Sequence, residues 1–130
     1  MTTLALFRPP GCAAGRRLIL IERNALLCRS FERFFRLYFD EVQIASDPAA
    51  ATLTLQSCCV PTDLICGMQD ESEAQLAEWV ERWRNALPLL GRVLVVTGCN
   101  QAPTHIVGVD TIIEKPIAPE VLLQFFAFRP

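Results

Sequence analysis

Val109-Asp-Thr-Ile-Ile-Glu-Lys-Pro116, near the C-terminus, is the stretch that settles the fold. Val109, Ile112, Ile113 and Ile117 form a short apolar run, and Lys115-Pro116 ends it. The pattern predicts the end of a buried strand, with a lysine delivered at its carboxyl edge and a proline turning the chain away. Lys115 is the only lysine in the sequence; the other basic residues are all arginines. A lysine kept in an arginine-biased chain points to a place that needs a compact ammonium on a flexible stem rather than a planar fork.

Upstream of this stretch, apolar runs alternate with amphipathic ones. Arg17–Ile21 is a continuous apolar run, the pattern of a central parallel strand covered on both faces. Asn24 is a good N-cap for a helix running to about Phe39, with a buried stripe of Leu27, Phe31, Phe34 and Tyr38, and Arg29, Arg33 and Arg36 outward. Glu41–Ala45 reads as a short strand. Asp47-Pro48 opens a helix to about Gln56, with proline at its first position. Leu64–Cys66 is the third strand and ends at Gly67. Ser72-x-x-Gln75 is a capping box for a helix that buries Leu76, Val80, Trp83 and Leu87. Arg92–Val96 is the fourth strand and ends at Thr97-Gly98. Cys99–Val107 is a poor helix with Pro103 in its middle, and a last helix runs from about Pro119 to Phe126.

This alternation predicts an α/β fold: one doubly wound, five-stranded parallel sheet, flavodoxin-like, in the order 2-1-3-4-5. Residues 1–16 are expected to be a flexible arm, because Met1–Gly15 has no period. Residues 17–128 form the domain. In such sheets the functional crevice lies at the carboxyl ends of the strands. The residues delivered there are Glu22 and Arg23, Gly67, Thr97 and Lys115.

The 130 residues suit one domain, and 52% of them are hydrophobic, enough for one core. The net charge of -2 argues against a general nucleic-acid or membrane surface. No apolar run reaches membrane-spanning length, and Thr2–Phe7 is too short for a secretory signal before Arg8-Pro9-Pro10. A cytoplasmic location is expected. The six cysteines (12, 28, 58, 59, 66 and 99) and the single His105 lack zinc spacing and read mostly as buried thiols.

The set of crevice positions resembles the receiver domain of bacterial two-component response regulators, over Arg17 to about Phe128. In that family an acidic pair ends the first strand, a phosphoacceptor aspartate the third, a Thr or Ser the fourth and a Lys-Pro the fifth. This chain matches at Glu22, Thr97 and Lys115-Pro116, and Asp63-Leu-Ile-Cys is similar to the family's run into the acceptor. It departs at the rest. The acceptor position is Gly67 (Met68 if the strand slips by one), the second acid is Arg23, the aromatic switch position is Ile112, and the fourth helix is about one turn short.

Phosphoryl transfer to a receiver needs a carboxylate nucleophile and a divalent cation held by acidic groups. Here the nucleophile is missing and Arg23 would repel the cation. The resemblance therefore implies a pseudo-receiver: no enzyme activity, no metal, no cofactor, and a degenerate pocket of Glu22, Arg23, Gly67, Thr97, Lys115 and Pro116. Glu22 is expected to pair with the Lys115 ammonium, and Lys115–Pro116 to be a cis peptide. The implied role is protein–protein interaction in a phosphorelay, with a histidine kinase, regulator or effector as partner and neither nucleic acid nor membrane. The tail Leu122, Leu123, Phe125, Phe126 and Phe128 offers a C-terminal helix face for homodimerisation. Two alternatives stay open: a stand-alone receiver phosphorylated at another acid such as Asp70, and an unrelated flavodoxin-like domain for a small anion. Asp63, at the far end of its strand, is a poor acceptor candidate.

Overall fold

The computed structural model describes residues 13–56, 60–68, 71–98, 105–115 and 117–126. In chain order they form β1 (Ala13–Ile21), α1 (Ala25–Phe35), β2 (Phe39–Ala45), α2 (Pro48–Gln56), β3 (Thr62–Gly67), α3 (Glu73–Ala86), β4 (Leu90–Thr97), β5 (Thr111–Glu114) and α4 (Pro119–Leu123). The strands make one sheet, all parallel, in the order β2-β1-β3-β4-β5. This is the doubly wound, flavodoxin-like fold of a single domain.

Period-two alternation builds the two cores. Ile19 and Ile21 of β1, Leu64 and Cys66 of β3, and Val93 and Val95 of β4 face one side, under Leu55 of α2 and Leu76, Val80 and Trp83 of α3. Leu18 and Leu20, Ile65, and Leu94 and Val96 face the other, under Phe31 and Phe35 of α1, Leu122 of α4 and Phe126 just past it. The middle stretches of the three central strands are thus apolar on both faces, whereas β5, on the edge, leaves Thr111, Ile112 and Ile113 only half-buried.

The helix starts follow the sequence. Asn24 accepts from the Leu27 N–H at 3.0 Å, and Asp47 accepts from Ala50 at 2.8 Å. The Ser72–Gln75 capping box closes in both directions. Leu76, Val80, Trp83 and Leu87 are buried as expected.

Other boundaries move. β1 begins at Ala13, before the expected Arg17, with a register shift between the two and Gly15 at φ 75°. α1 stops at Phe35 rather than near Phe39, which opens β2 instead. Its fully buried stripe is Cys28, Phe31 and Phe35, while Leu27, Phe34 and Tyr38 are only partly covered. The aromatic run supports two stripes one residue apart, and packing on the sheet selects between them. Phe35 wins because it meets Phe31, Phe34, Phe39 and Phe126 edge-on, with ring centroids 5.2–6.2 Å away. β5 begins at Thr111, not Val109. Asp110 turns aside there, its carboxylate accepting from Val93 N–H at 2.7 Å and facing Arg84 at 3.1 Å. α4 ends at Leu123, short of Phe126. The expected helix over Cys99–Val107 falls largely outside the described residues, and His105–Val107 is not helical.

At the amino-terminal edge of the sheet, Arg16 clamps Asp63 with two contacts, 2.6 and 3.0 Å, and Asp63 also accepts from Arg92 N–H at 2.8 Å. Asp63 is 1% exposed and fully occupied there, far from the crevice.

Candidate functional site

Parallel strands deliver their last residues to one edge, and the register places them side by side. Ile21 lies opposite Cys66, Gly67 opposite Val96, and Thr97 opposite Glu114. Glu22 therefore follows β1, Gly67 ends β3, Thr97 ends β4, and Lys115 follows β5. Backbone bonds continue the ladder past the strands: Glu22 N–H to Ala45 O at 3.0 Å, Met68 N–H to Val96 O at 2.8 Å, and Lys115 N–H to Thr97 O at 2.7 Å.

Glu22 is the centre of the cluster and is 8% exposed. Its Oε2 accepts from the backbone N–H of Arg23 at 3.1 Å and of Asn24 at 3.0 Å. Its Oε1 lies 3.4 Å from the Lys115 Nζ. Those two N–H groups stand at the start of α1, where the helix end is electropositive. The ammonium completes a nest for negative charge.

Gly67 supplies the space. A Cβ built on it would sit 2.6 Å from Glu22 Oε1, closer than real Cβ atoms come, and a tight 3.2 Å from the Ile21 carbonyl. Its φ is not positive, so the glycine is needed for room and not for backbone conformation. Thr97 is buried at 4% exposure, and its hydroxyl donates to the Gly98 carbonyl at 3.0 Å. Arg23 is exposed and contributes its backbone to the cluster. Pro116, its peptide bond to Lys115, and Asp70 lie outside the described residues.

A magnesium ion does not fit this arrangement. The carboxylate that would hold it is already bound to an ammonium and two N–H groups, and a cation approaching it would meet Lys115. Among the described residues no group of three or more His, Cys, Asp or Glu could hold a metal. Two free cysteines flank the cluster. Burial pushes the Cys66 thiol up to about 12, with Glu71 and Glu22 adding to it. Burial also raises Cys28, with help from Glu22 and Glu32, and its Sγ lies 3.2 Å from the Glu22 carbonyl. Both thiols are held protonated, which suits packing and not nucleophilic attack. Cys12, Cys58, Cys59 and Cys99 lie outside the described residues.

The sequence identified Glu22, Gly67, Thr97 and Lys115 as neighbours at one edge. It missed the Arg23 and Asn24 N–H donors and the steric fit of Glu22 over Gly67. The one available signal was a long acid beside a position without a side chain.

No family model and no curated protein matches the sequence. The fold does match solved structures. A CheY-like response regulator receiver domain from Methanospirillum hungatei superposes with a TM-score of 0.64 at 13% identity, over 85% of this chain and 90% of that one. The chemotaxis response regulator CheY4 of Vibrio cholerae gives 0.62 at 16% identity, over 84% and 93%. An adenylate cyclase from Rhodopirellula baltica gives 0.65 at 16% identity, over 84% and 83%. At these identities the likeness is one of fold.

Proposed function

We propose that this chain is a receiver-like signalling domain that works without phosphorylation at the usual position, as a protein-binding module and not as an enzyme. The observation that carries this reading is Gly67. It ends β3 between Glu22 and Thr97, at the place where a receiver presents its nucleophile, and it has no side chain to attack a phosphoryl donor. The neighbouring carboxylate pairs with Lys115 at 3.4 Å, which argues against a metal site there as well. The receiver folds found among similar structures support the receiver-like part of this reading. Output must then pass through surface contacts, in a two-component pathway and in the cytoplasm. The partner is a histidine kinase, another regulator or an effector, and not nucleic acid or a membrane. Among the described residues no helix is long and apolar enough to cross a membrane.

The C-terminal helix face is the proposed homodimer surface. Leu122 and Phe126 turn into the core there, while Val121 and Phe125 remain 41% and 36% exposed. Phe128 lies outside the described residues.

Beryllofluoride with magnesium tests the reading. Trp79 and Trp83 stack on α3, downstream of Gly67, and report on this region by fluorescence. The wild type is expected to show no change. A saturable, magnesium-dependent change would overturn the proposal and return attention to another acid.

A further inference from the structure

The pocket at the sheet edge is an anion site that already holds an anion. Two backbone N–H groups at the start of an eleven-residue helix and one ammonium converge on a single carboxylate, which comes from the chain itself. That carboxylate also fills the space above Gly67, where any side chain would begin.

We propose that Glu22 is the pocket's resident occupant, an autoinhibitory contact that shuts out external oxyanions, and that the bare Cα of Gly67 is what admits it. This deepens the reading above and rests on its placement of the pocket. The two residues are mutually dependent. With a Cβ at position 67, Glu22 Oε1 must shift, and its 3.4 Å contact with the Lys115 ammonium changes with it. With Glu22 gone, the Arg23 and Asn24 N–H groups and Lys115 face an open space of the right charge for a tetrahedral oxyanion. The receiver's acceptor carboxylate has been replaced by a neighbour's, reaching over from β1.

Because Lys115 is the only lysine, protein labelled solely at lysine yields one side-chain NMR signal, and it comes from the pocket. Inorganic phosphate is the probe. In the wild type the signal should not respond saturably. In Glu22→Ala it should move on titration, with phosphate bound at least about tenfold more tightly than by the wild type. Gly67→Ala should move the lysine signal and raise phosphate affinity in the same direction as Glu22→Ala, because it displaces the same carboxylate. Should Gly67→Ala fail to fold, Glu22→Ala/Gly67→Ala should fold, since the collision is gone, and should bind phosphate as Glu22→Ala does. A folded Glu22→Ala protein blind to phosphate would overturn the proposal. So would a wild type that binds phosphate equally well, or a Gly67→Ala protein whose lysine signal is unmoved from the wild type. None of these results depends on beryllofluoride, whose effect on the wild type judges the pseudo-receiver reading separately.

Discussion

Each end of the sheet holds a carboxylate–cation pair beside a glycine, and the two pairs are built differently. At the amino-terminal edge Arg16 grips Asp63 through two bonds, at 2.6 and 3.0 Å, and a backbone N–H fills the remaining capacity. At the carboxyl-terminal edge Lys115 approaches Glu22 through one contact at 3.4 Å, and the other oxygen leans on two backbone N–H groups. Gly91 leaves room for the first pair, where a Cβ would lie 2.5 Å from both Arg16 and Asp63. Gly67 leaves room for the second. The planar fork gives a bidentate, charge-assisted clamp, whereas the ammonium acts as a point charge. The first pair ties β1 to β3 and β4. The second occupies a crevice. The bidentate clamp and the candidate site thus lie at opposite ends of one sheet.

Breaking the clamp should have the larger effect. Asp63→Ala strips Arg16 of its partner and orphans the Arg92 N–H, at a cost of about 3 kcal/mol. Urea unfolding measures this, and a loss below that of Glu22→Ala would reverse the comparison.

Glu22→Ala should cost less, about 1–2 kcal/mol, because Lys115 is about one-third exposed and recovers water. The same unfolding experiment applies, with midpoint and slope both recorded.

Cys66 ties the carboxyl-terminal end to pH. Its folded thiol titrates near 12, against 9.0 for an ordinary thiol. The folded state holds the proton longer than the unfolded chain, so stability is complete below about pH 9 and falls as pH rises toward 12. The loss between pH 9 and 10 should be about 1 kcal/mol from this group alone. Thermal unfolding under reducing conditions should show a shallower pH dependence for Cys66→Ala. An unchanged slope would exclude the thiol as its source. Cys28, also raised, contributes in the same direction.

The smallest effect is expected beside the clamp. Arg17 is 4% exposed, makes only long bonds to Gln43 and the Thr54 carbonyl, at 3.3 and 3.4 Å, and leaves its Nε without a partner. Arg17→Met removes a poorly compensated buried charge, so stability should stay within about 1 kcal/mol of wild type. A loss comparable to Asp63→Ala would mean that both arginines hold this end.

The sequence by itself determined the architecture. Unbroken apolar runs such as Arg17–Ile21 can only be buried on both faces, and the caps at Asn24, Asp47 and Ser72 act within a few residues of themselves. It also determined which residues meet at the crevice, because parallel strands bring their ends to one edge. Tertiary structure decided what depends on distance across the sheet. It chose Phe35 over Phe34 for the core, since the two choices differ by one residue of helical phase. It drew Arg16 and Asp63 into a clamp, although Arg16 is the last residue of the expected arm. It set Glu22 over Gly67, a fit between side chain and empty space that no local pattern encodes, because an absent Cβ leaves no periodicity to read.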